Sequence, residues 1–385
     1  MECTLPRESE LRAFEPAYTD EEIEAIGEIR ARIHHLGPKE QHRYGEELLR
    51  ALWPNEALWM QKTHWINTKT PGVTSRMIHN HAQKKLHKQI QILREQGRPI
   101  RILILKARQI GFSTFVQSWQ FEQCHRERYR LAMTISHDDY AGVELFQKGR
   151  MIYDNMWLPP PLKVGRRDDM TFTHNESKMS TRTPGNLNIG RGLTPHHVHC
   201  SEVPMWPNAE DVMEGLLQAV PGLPETSVIV ESTAKGAVGW FYDMWKKAET
   251  GETLWIPFFA PWFWDAQYTR PFLNDTERRR FESRMRPDDR DYQERYGLTL
   301  EQMHWRRLKI ETDLQGSEAK FRQEYPADAS EAFLTSGHPT FNAEAVSRLA
   351  DFTKPPSRVG HISLVRPPFG PGAGQLRPFF DPVRH

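Results

Sequence analysis

Lys106-Ala107-Arg108-Gln109-Ile110-Gly111-Phe112-Ser113-Thr114 follows directly on the apolar run Ile100 to Leu105 and is the sharpest feature of the chain. A phosphate-binding loop reads GxxxxGK[ST]: backbone N–H groups curl around phosphates, the lysine meets the β/γ oxygens and the hydroxyl meets Mg²⁺. Gly111 and Ser113 keep their places in that pattern, whereas Phe112 stands at the lysine position and Lys106 at the first glycine. The cation has moved from the end of the motif to its start, and a loop wrapped around phosphate accepts charge from either end. The segment Phe115 to Arg126 reads as a helix whose N-terminus faces such an anion. On the loop alone, an ordinary strand-to-helix turn with a chance Gly and Ser competes with nucleotide binding.

Outward from the loop, short apolar runs recur at Leu131 to Ser136, His196 to Cys200, Val228 to Val230 and Leu254 to Phe259, with helical patterns or long connections between them. That alternation predicts an α/β fold whose mostly parallel sheet is covered on both faces. A small hairpin is expected at Met170 to Arg182, turning through Asn175-Glu176-Ser177. Upstream, Thr19-Asp20-Glu21-Glu22 opens one capped helical pattern, and a second runs from about His81 to Gln96, with Ala82, Leu86, Ile90 and Leu93 on one stripe. Downstream, charge of both signs crowds Arg278 to Arg295, and Thr299-Leu300-Glu301-Gln302 starts a further capped helix toward Thr312. The division expected is a helical region over 1–80, an α/β core over 81–260, a helical lid over 261–345 and a Pro-rich linker over 346–385.

Composition narrows the class. The chain has 385 residues with 38% hydrophobic and 11% aromatic content, enough apolar surface for a packed core. No stretch has the apolar length of a membrane span and the charged opening lacks a signal-peptide pattern, so a soluble cytoplasmic protein is expected. Three cysteines are too few for a disulfide framework, and the net charge of +1 gives no global sign of a nucleic-acid partner.

Two further segments carry chemistry. His197-Val198-His199-Cys200-Ser201-Glu202 is a strand ending in Glu202, where a carboxylate orients the attacking water of an ATPase. Ser201 stands where an aspartate usually holds Mg²⁺ through water, so the metal leans more on Ser113 and the phosphates. A zinc site from His196, His197, His199 and Cys200 is disfavoured, because alternate residues of a strand face opposite ways. Val228-Ile229-Val230-Glu231-Ser232-Thr233-Ala234 is an apolar strand ending in hydroxyl residues able to sense a γ-phosphate; alone it is merely a strand and loop.

In this order and spacing, the motifs resemble the ATPase domain of the large terminase subunit of tailed bacteriophages. KARQIGFST looks like that family's deviant Walker A loop, HCSEV like its Walker B strand in the Ser-Glu form, and ESTAKG like its coupling motif. Asn80-His81-Ala82-Gln83 resembles the adenine-reading segment and would place Gln83 on the base. Arg191-Gly192-Leu193-Thr194 resembles the element supplying an arginine finger to a neighbouring subunit, although Arg191 could equally pair with an acidic surface neighbour. Pro261-Trp262-Phe263, Glu324-Tyr325-Pro326, Glu331-Ala332-Phe333 and Ser336-Gly337 look like lid and post-lid signatures.

The resemblance implies an ASCE-type P-loop NTPase that takes ATP and Mg²⁺ and drives double-stranded DNA into a procapsid. Lys106, Gln109, Ile110, Gly111, Phe112, Ser113 and Thr114 would form the nucleotide site, with Lys106 or Arg108 on the β/γ oxygens. Ser113, Ser201 and Glu202 would attend the metal, Glu202, Arg191 and Arg108 would act in catalysis, and Ser232 and Thr233 in coupling. Implied partners are DNA gripped without regard to sequence, the portal protein and the small terminase subunit. A homo-oligomeric ring is implied on the procapsid and a monomer or weak oligomer alone, in the host cytoplasm with no membrane. Arg278, Arg279 and Arg280 are candidate DNA contacts or simply a solvated helix face. The family's nuclease domain would begin beyond GQLRPFFDPVRH, so no nuclease activity is expected of this chain. Two other readings stay open: a helicase-like DNA-dependent ATPase, and a non-catalytic packaging adaptor with a relic loop.

Overall fold

A computed structural model describes residues 52–156, 159–184 and 192–334, together with two strands at 360–365 and 377–382. The helix expected from Thr19, the finger candidate Arg191, Ser336-Gly337 and most of the Pro-rich stretch lie outside these described residues. In chain order the elements are helix α1 (Glu56–Thr63), the short strands β1 (Trp65–Asn67) and β2 (Thr74–Arg76), helix α2 (His81–Glu95), strand β3 (Ile100–Lys106) and helix α3 (Phe112–Arg126). Strand β4 (Leu131–Ile135) and helix α4 (Asp139–Asp154) come next, then β5 (Leu162–Gly165), β6 (Asp169–Phe172), β7 (Lys178–Arg182) and β8 (His197–Ser201). Helix α5 (Ala209–Ala219), strand β9 (Ser227–Ser232), helix α6 (Trp240–Glu249) and strand β10 (Ile256–Ala260) complete the α/β part.

One eight-stranded sheet runs in the order β10-β3-β9-β8-β4-β7-β6-β5. It is parallel from β10 through β7 and antiparallel over β7, β6 and β5. The expected hairpin at Met170 to Arg182 exists as β6 and β7, but it is no separate insertion: β7 pairs in parallel with β4 and carries the hairpin into the main sheet. Period-two polarity cannot report which strand a hairpin will lie beside.

Every residue of β3, Ile-Arg-Ile-Leu-Ile-Leu-Lys, is buried, as a strand covered on both faces requires. Successive side chains alternate between two cores. Leu103 and Leu105 join Met133, Val198, Val228 and Val230 under α5 and α6, while Ile102 and Ile104 join Leu86, Ile90, Phe115 and Trp119 of α2 and α3. Helix α2 starts where its sequence says, with Asn80 and Gln83 in a reciprocal capping box.

After β10 the chain turns helical: α7 (Asp275–Ser283), α8 (Pro287–Tyr296), α9 (Leu300–Leu308), α10 (Glu318–Glu324) and α11 (Ala329–Leu334). These surround their own aromatic core of Trp262, Tyr268, Phe281, Phe321 and Tyr325, which also takes in Ala107 from the loop after β3. The helical part is thus seated on that loop. The described residues through 334 form one compact unit, and the strands β11 (Gly360–Val365) and β12 (Arg377–Pro382) belong to a second. These two pair antiparallel where composition suggests only a linker. Among the described residues each pairs only with the other, and proline is tolerated on an edge of that kind.

Candidate active site

Strands β3, β8 and β9 are mutually parallel and end at one edge of the sheet, so the segments leaving them converge. Leu105 lies beside Ser232 and Ser201 beside Glu231 in the register. Three sequence motifs far apart in the chain meet there.

The loop is shaped by its backbone. Gln109 and Gly111 have φ of 51° and 90°. Gly111 precedes the first turn of α3, which has neither a side-chain cap nor an acidic residue. The free N–H groups and positive dipole end of that helix are therefore available to an anion. Asn80 Nδ2 donates to the Ile110 carbonyl at 2.9 Å and Gln83 Nε2 to the Gly111 carbonyl at 2.8 Å. In a trans peptide the N–H points opposite to the carbonyl, so these bonds turn the N–H groups of Gly111 and Phe112 away from α2. Ile110 and Phe112 bury their side chains, Phe112 edge-on to Phe258 with ring centroids 5.8 Å apart. The two can offer an anion only their backbone, and Phe112 does no work as a lysine substitute. Ser113 and Thr114 are half-buried in the first turn.

Both ends of the Gln83 carboxamide are engaged, one on the loop and one on the cap of its own helix. Besides the bond to Gly111, its Oε1 accepts from Asn80 N at 3.0 Å. One N–H and one oxygen lone pair of the carboxamide remain beyond these two bonds.

Lys106 projects from the end of β3 between two carboxylates, with Nζ 3.6 Å from Glu202 Oε1 and 3.6 Å from Glu231 Oε2. Burial works against its charge, but Glu231 and Glu202 outweigh that and hold the ammonium above the usual lysine range. Arg108 is directed elsewhere. Its guanidinium pairs with Glu324, and its backbone N–H donates to the Glu324 carbonyl at 3.0 Å, joining the loop to the Glu324-Tyr325-Pro326 signature. Of the two cations offered by sequence, Lys106 stands among the site carboxylates and Arg108 on the helical part.

Glu202 follows β8 with φ 55° and ψ 44°, a left-handed conformation uncommon outside glycine and asparagine. Strain of this kind concentrates at functional positions. Its N–H donates to the Glu231 carbonyl at 2.8 Å. Ser232 Oγ lies 2.8 Å from Glu202 Oε2 and 2.7 Å from the Thr233 carbonyl, so one hydroxyl proton is shared between the two motifs. Ser201 is buried, its Oγ 3.5 Å from Glu231 Oε1.

Glu231 is the residue that motif reading passed over. It is fully buried, and its Oε1 faces His199 Nε2 at 3.1 Å. Burial alone would raise its pKa, but Lys106 and His199 outweigh this and the carboxyl lies well below its usual range, with the Ser113 hydroxyl contributing. The other oxygen, Oε2, makes no hydrogen bond among the described residues. A buried carboxylate with spare acceptor capacity beside a serine hydroxyl is a donor set that suits Mg²⁺ or its water shell. The sequence carries one signal for Glu231: a lone acid closing the apolar run Val228-Ile229-Val230, where a charge survives only if paired. The neighbouring histidines divide as strand alternation requires. His197 Nδ1 meets Ser227 Oγ at 3.1 Å, His199 turns to Glu231 and Gln117, and Cys200 lies in the opposite core.

No protein-family model matches the chain, and no curated protein matches it. Among solved structures, it is similar to the large terminase of a thermophilic bacteriophage, with 12% identity over 55% of this chain and 51% of that one and a TM-score of 0.41. It is similar also to the large terminase of bacteriophage HK97, with 12% identity over 59% of this chain and 46% of that one and a TM-score of 0.45. A third similar structure is the large terminase ATPase domain of Thermus phage P74-26, with 17% identity over 65% of this chain and 94% of that one and a TM-score of 0.42. The matched region spans about half the length of the first two of these proteins.

Proposed function

We propose that this chain is the ATP-hydrolysing motor domain of a phage terminase large subunit, translocating double-stranded DNA into a procapsid. The observation that carries this reading is the meeting of Lys106, Glu202 and Ser232 at one sheet edge, beneath an uncapped helix N-terminus whose loop carbonyls are tied back. Phosphates take the N–H groups from Gln109 to Thr114, and Lys106 leaves its carboxylates for the β/γ oxygens. Glu202 orients the attacking water, and Ser232, sharing a proton with it, passes the loss of the γ-phosphate to Thr233 and onward. When bound, Mg²⁺ would neutralise charge on the phosphate oxygens, and Ser113, Ser201 and Glu202 would attend it.

Arg191 belongs to this proposal as a finger offered to the next subunit of a ring, as do the portal protein and small terminase subunit as partners. DNA is held through its phosphates, because packaging must ignore sequence. Arg278, Arg279 and Arg280 are exposed on α7 and available for that contact.

Glu202→Ala is the test. It should bind ATP with parental affinity and lose hydrolysis by about 10²-fold or more, as removal of a catalytic base does. Hydrolysis at the parental rate removes Glu202 from the role. Hydrolysis stimulated by DNA but indifferent to a portal ring would move the reading to a helicase-like ATPase. Failure to bind ATP at millimolar concentration would leave only the adaptor.

A further inference from the structure

Ser201 leaves the site without the acidic residue that ordinarily precedes the water-orienting glutamate. A carboxylate is nevertheless present at that depth, supplied by the adjacent strand. Glu231 of β9 lies beside Ser201 of β8 in the register, and the two side chains meet, Ser201 Oγ being 3.5 Å from Glu231 Oε1. We propose that Glu231 takes over the task of the missing acid as a positioning residue for magnesium, accepting hydrogen bonds from the metal's water shell. This inference rests on the nucleotide-hydrolysing reading above.

Three observations converge on it. The carboxylate is completely buried at the end of β9, and its Oε2 has the Lys106 ammonium at 3.6 Å but makes no hydrogen bond among the described residues. A buried oxygen left with unused acceptor capacity calls for a further donor. Lys106 is shared with Glu202, so when phosphates draw the lysine away, Glu231 needs a second cation or its hydrated shell.

The third observation lies behind the carboxylate. His199 Nε2 is 3.1 Å from Glu231 Oε1, and Gln117 Nε2 lies 2.8 Å from His199 Nδ1 and 2.7 Å from Thr134 Oγ1. As placed, the Gln117 amide donates to Nδ1, so the ring donates its Nε2–H to Glu231. His199, Gln117 and Thr134 are all buried. Outer partners of this kind orient a ligand and tune its basicity around metal sites.

ADP binding to the 385-residue chain, measured by calorimetry with and without Mg²⁺, tests the assignment through affinity rather than turnover. In the parent, Mg²⁺ should tighten ADP binding. Glu231→Gln should cut that metal-dependent gain about tenfold or more, the usual effect of losing an outer-shell partner. Its metal-free affinity should be unchanged or tighter, since a negative charge has left the phosphate side. Moving the carboxylate back, in Ser201→Asp combined with Glu231→Gln, should restore the gain. A parental gain in Glu231→Gln overturns the proposal, as does a parent that binds ADP with no response to Mg²⁺. Because Glu231→Gln removes a buried charge and could unfold the chain, Ser201→Asp alone provides an independent arm. With Glu231 already serving, it adds no gain, and a tenfold tightening would show that the carboxylate had been lacking. A parent that binds no ADP at all defeats the proposed function instead.

Discussion

Replacing Gly111 by alanine probes the loop most directly. Gly111 has φ of 90°, and a Cβ there would stand 2.9 Å from Gln83 Nε2 and 3.4 Å from Asn80 Nδ2. A positive φ costs a non-glycine residue about 1–2 kcal/mol. Ordinarily a long side chain could step aside at little cost. Gln83 cannot, because it is buried and its carboxamide is bonded to Gly111 O and Asn80 N. Displacing it gives up at least the bond to Gly111, worth about 1 kcal/mol, and leaves a buried donor exposed to further loss. The total is about 2–4 kcal/mol. The same displacement leaves the Gly111 carbonyl held by the Phe115 N–H alone, at 3.1 Å, so the next N–H is aimed less firmly and ADP affinity should fall together with stability. Gly97→Ala separates strain from collision, since Gly97 has φ of 63° but nothing within 4 Å of its Cβ position. Urea unfolding should show Gly111→Ala losing about 1–2 kcal/mol more than Gly97→Ala, with weaker ADP binding only in the former. Equal losses, or parental ADP binding by Gly111→Ala, would refute the tied-back loop.

Other perturbations follow from the same geometry. Lys106→Met strips Glu231 of its ion-pair cation and should lower unfolding free energy by about 3–5 kcal/mol in urea, as breaking a buried pair does; a loss under about 1 kcal/mol would mean the carboxylates do not depend on it. Arg108→Ala breaks a pair whose arginine is 58% exposed. It should cost no more than about 1 kcal/mol by the same measurement, so a larger loss would make Arg108 structural. Acid should destabilise the protein in two stages. Buried His79 and His197 have pKa values lowered from 6.5, first by burial, so stability present above that value is lost as pH falls below it. Glu56, Glu122 and Glu231 have pKa values lowered from 4.5, where ion pairs and hydrogen bonds overcome the opposing effect of burial, so a steeper loss follows below that value. Thermal melting from pH 7 down to pH 3 reads both stages, and a flat profile contradicts the burial of these groups.

The parts legible in sequence were those governed by near neighbours. The apolar run through Leu105 became β3, and Asn80 with Gln83 became a capping box, because hydrogen bonds three residues apart and side-chain alternation are local. Glycine at position 111 likewise stands where the chain needs a positive φ before the helix, with Ser113 in that helix's first turn and Ser232 at the end of β9. Their spacing was enough to place Glu202 and Ser232 at the ends of two strands, where the structure brings their side chains together.

The rest depends on which strands become neighbours. β9 lies between β3 and β8, and this alone sets Glu231 beside both Lys106 and Ser201. No residue pattern within β9 specifies that adjacency. The same holds for the bond from Gln83 of α2 to the Gly111 carbonyl. Arg108, a phosphate candidate by position, pairs with Glu324 of the helical part. Local chemistry specifies a strand, a glycine turn opening a helix and a glutamate following a strand. The folded chain chose which cation and which second carboxylate accompany them, because a charge in the interior persists only beside the partner that the packing brings within reach.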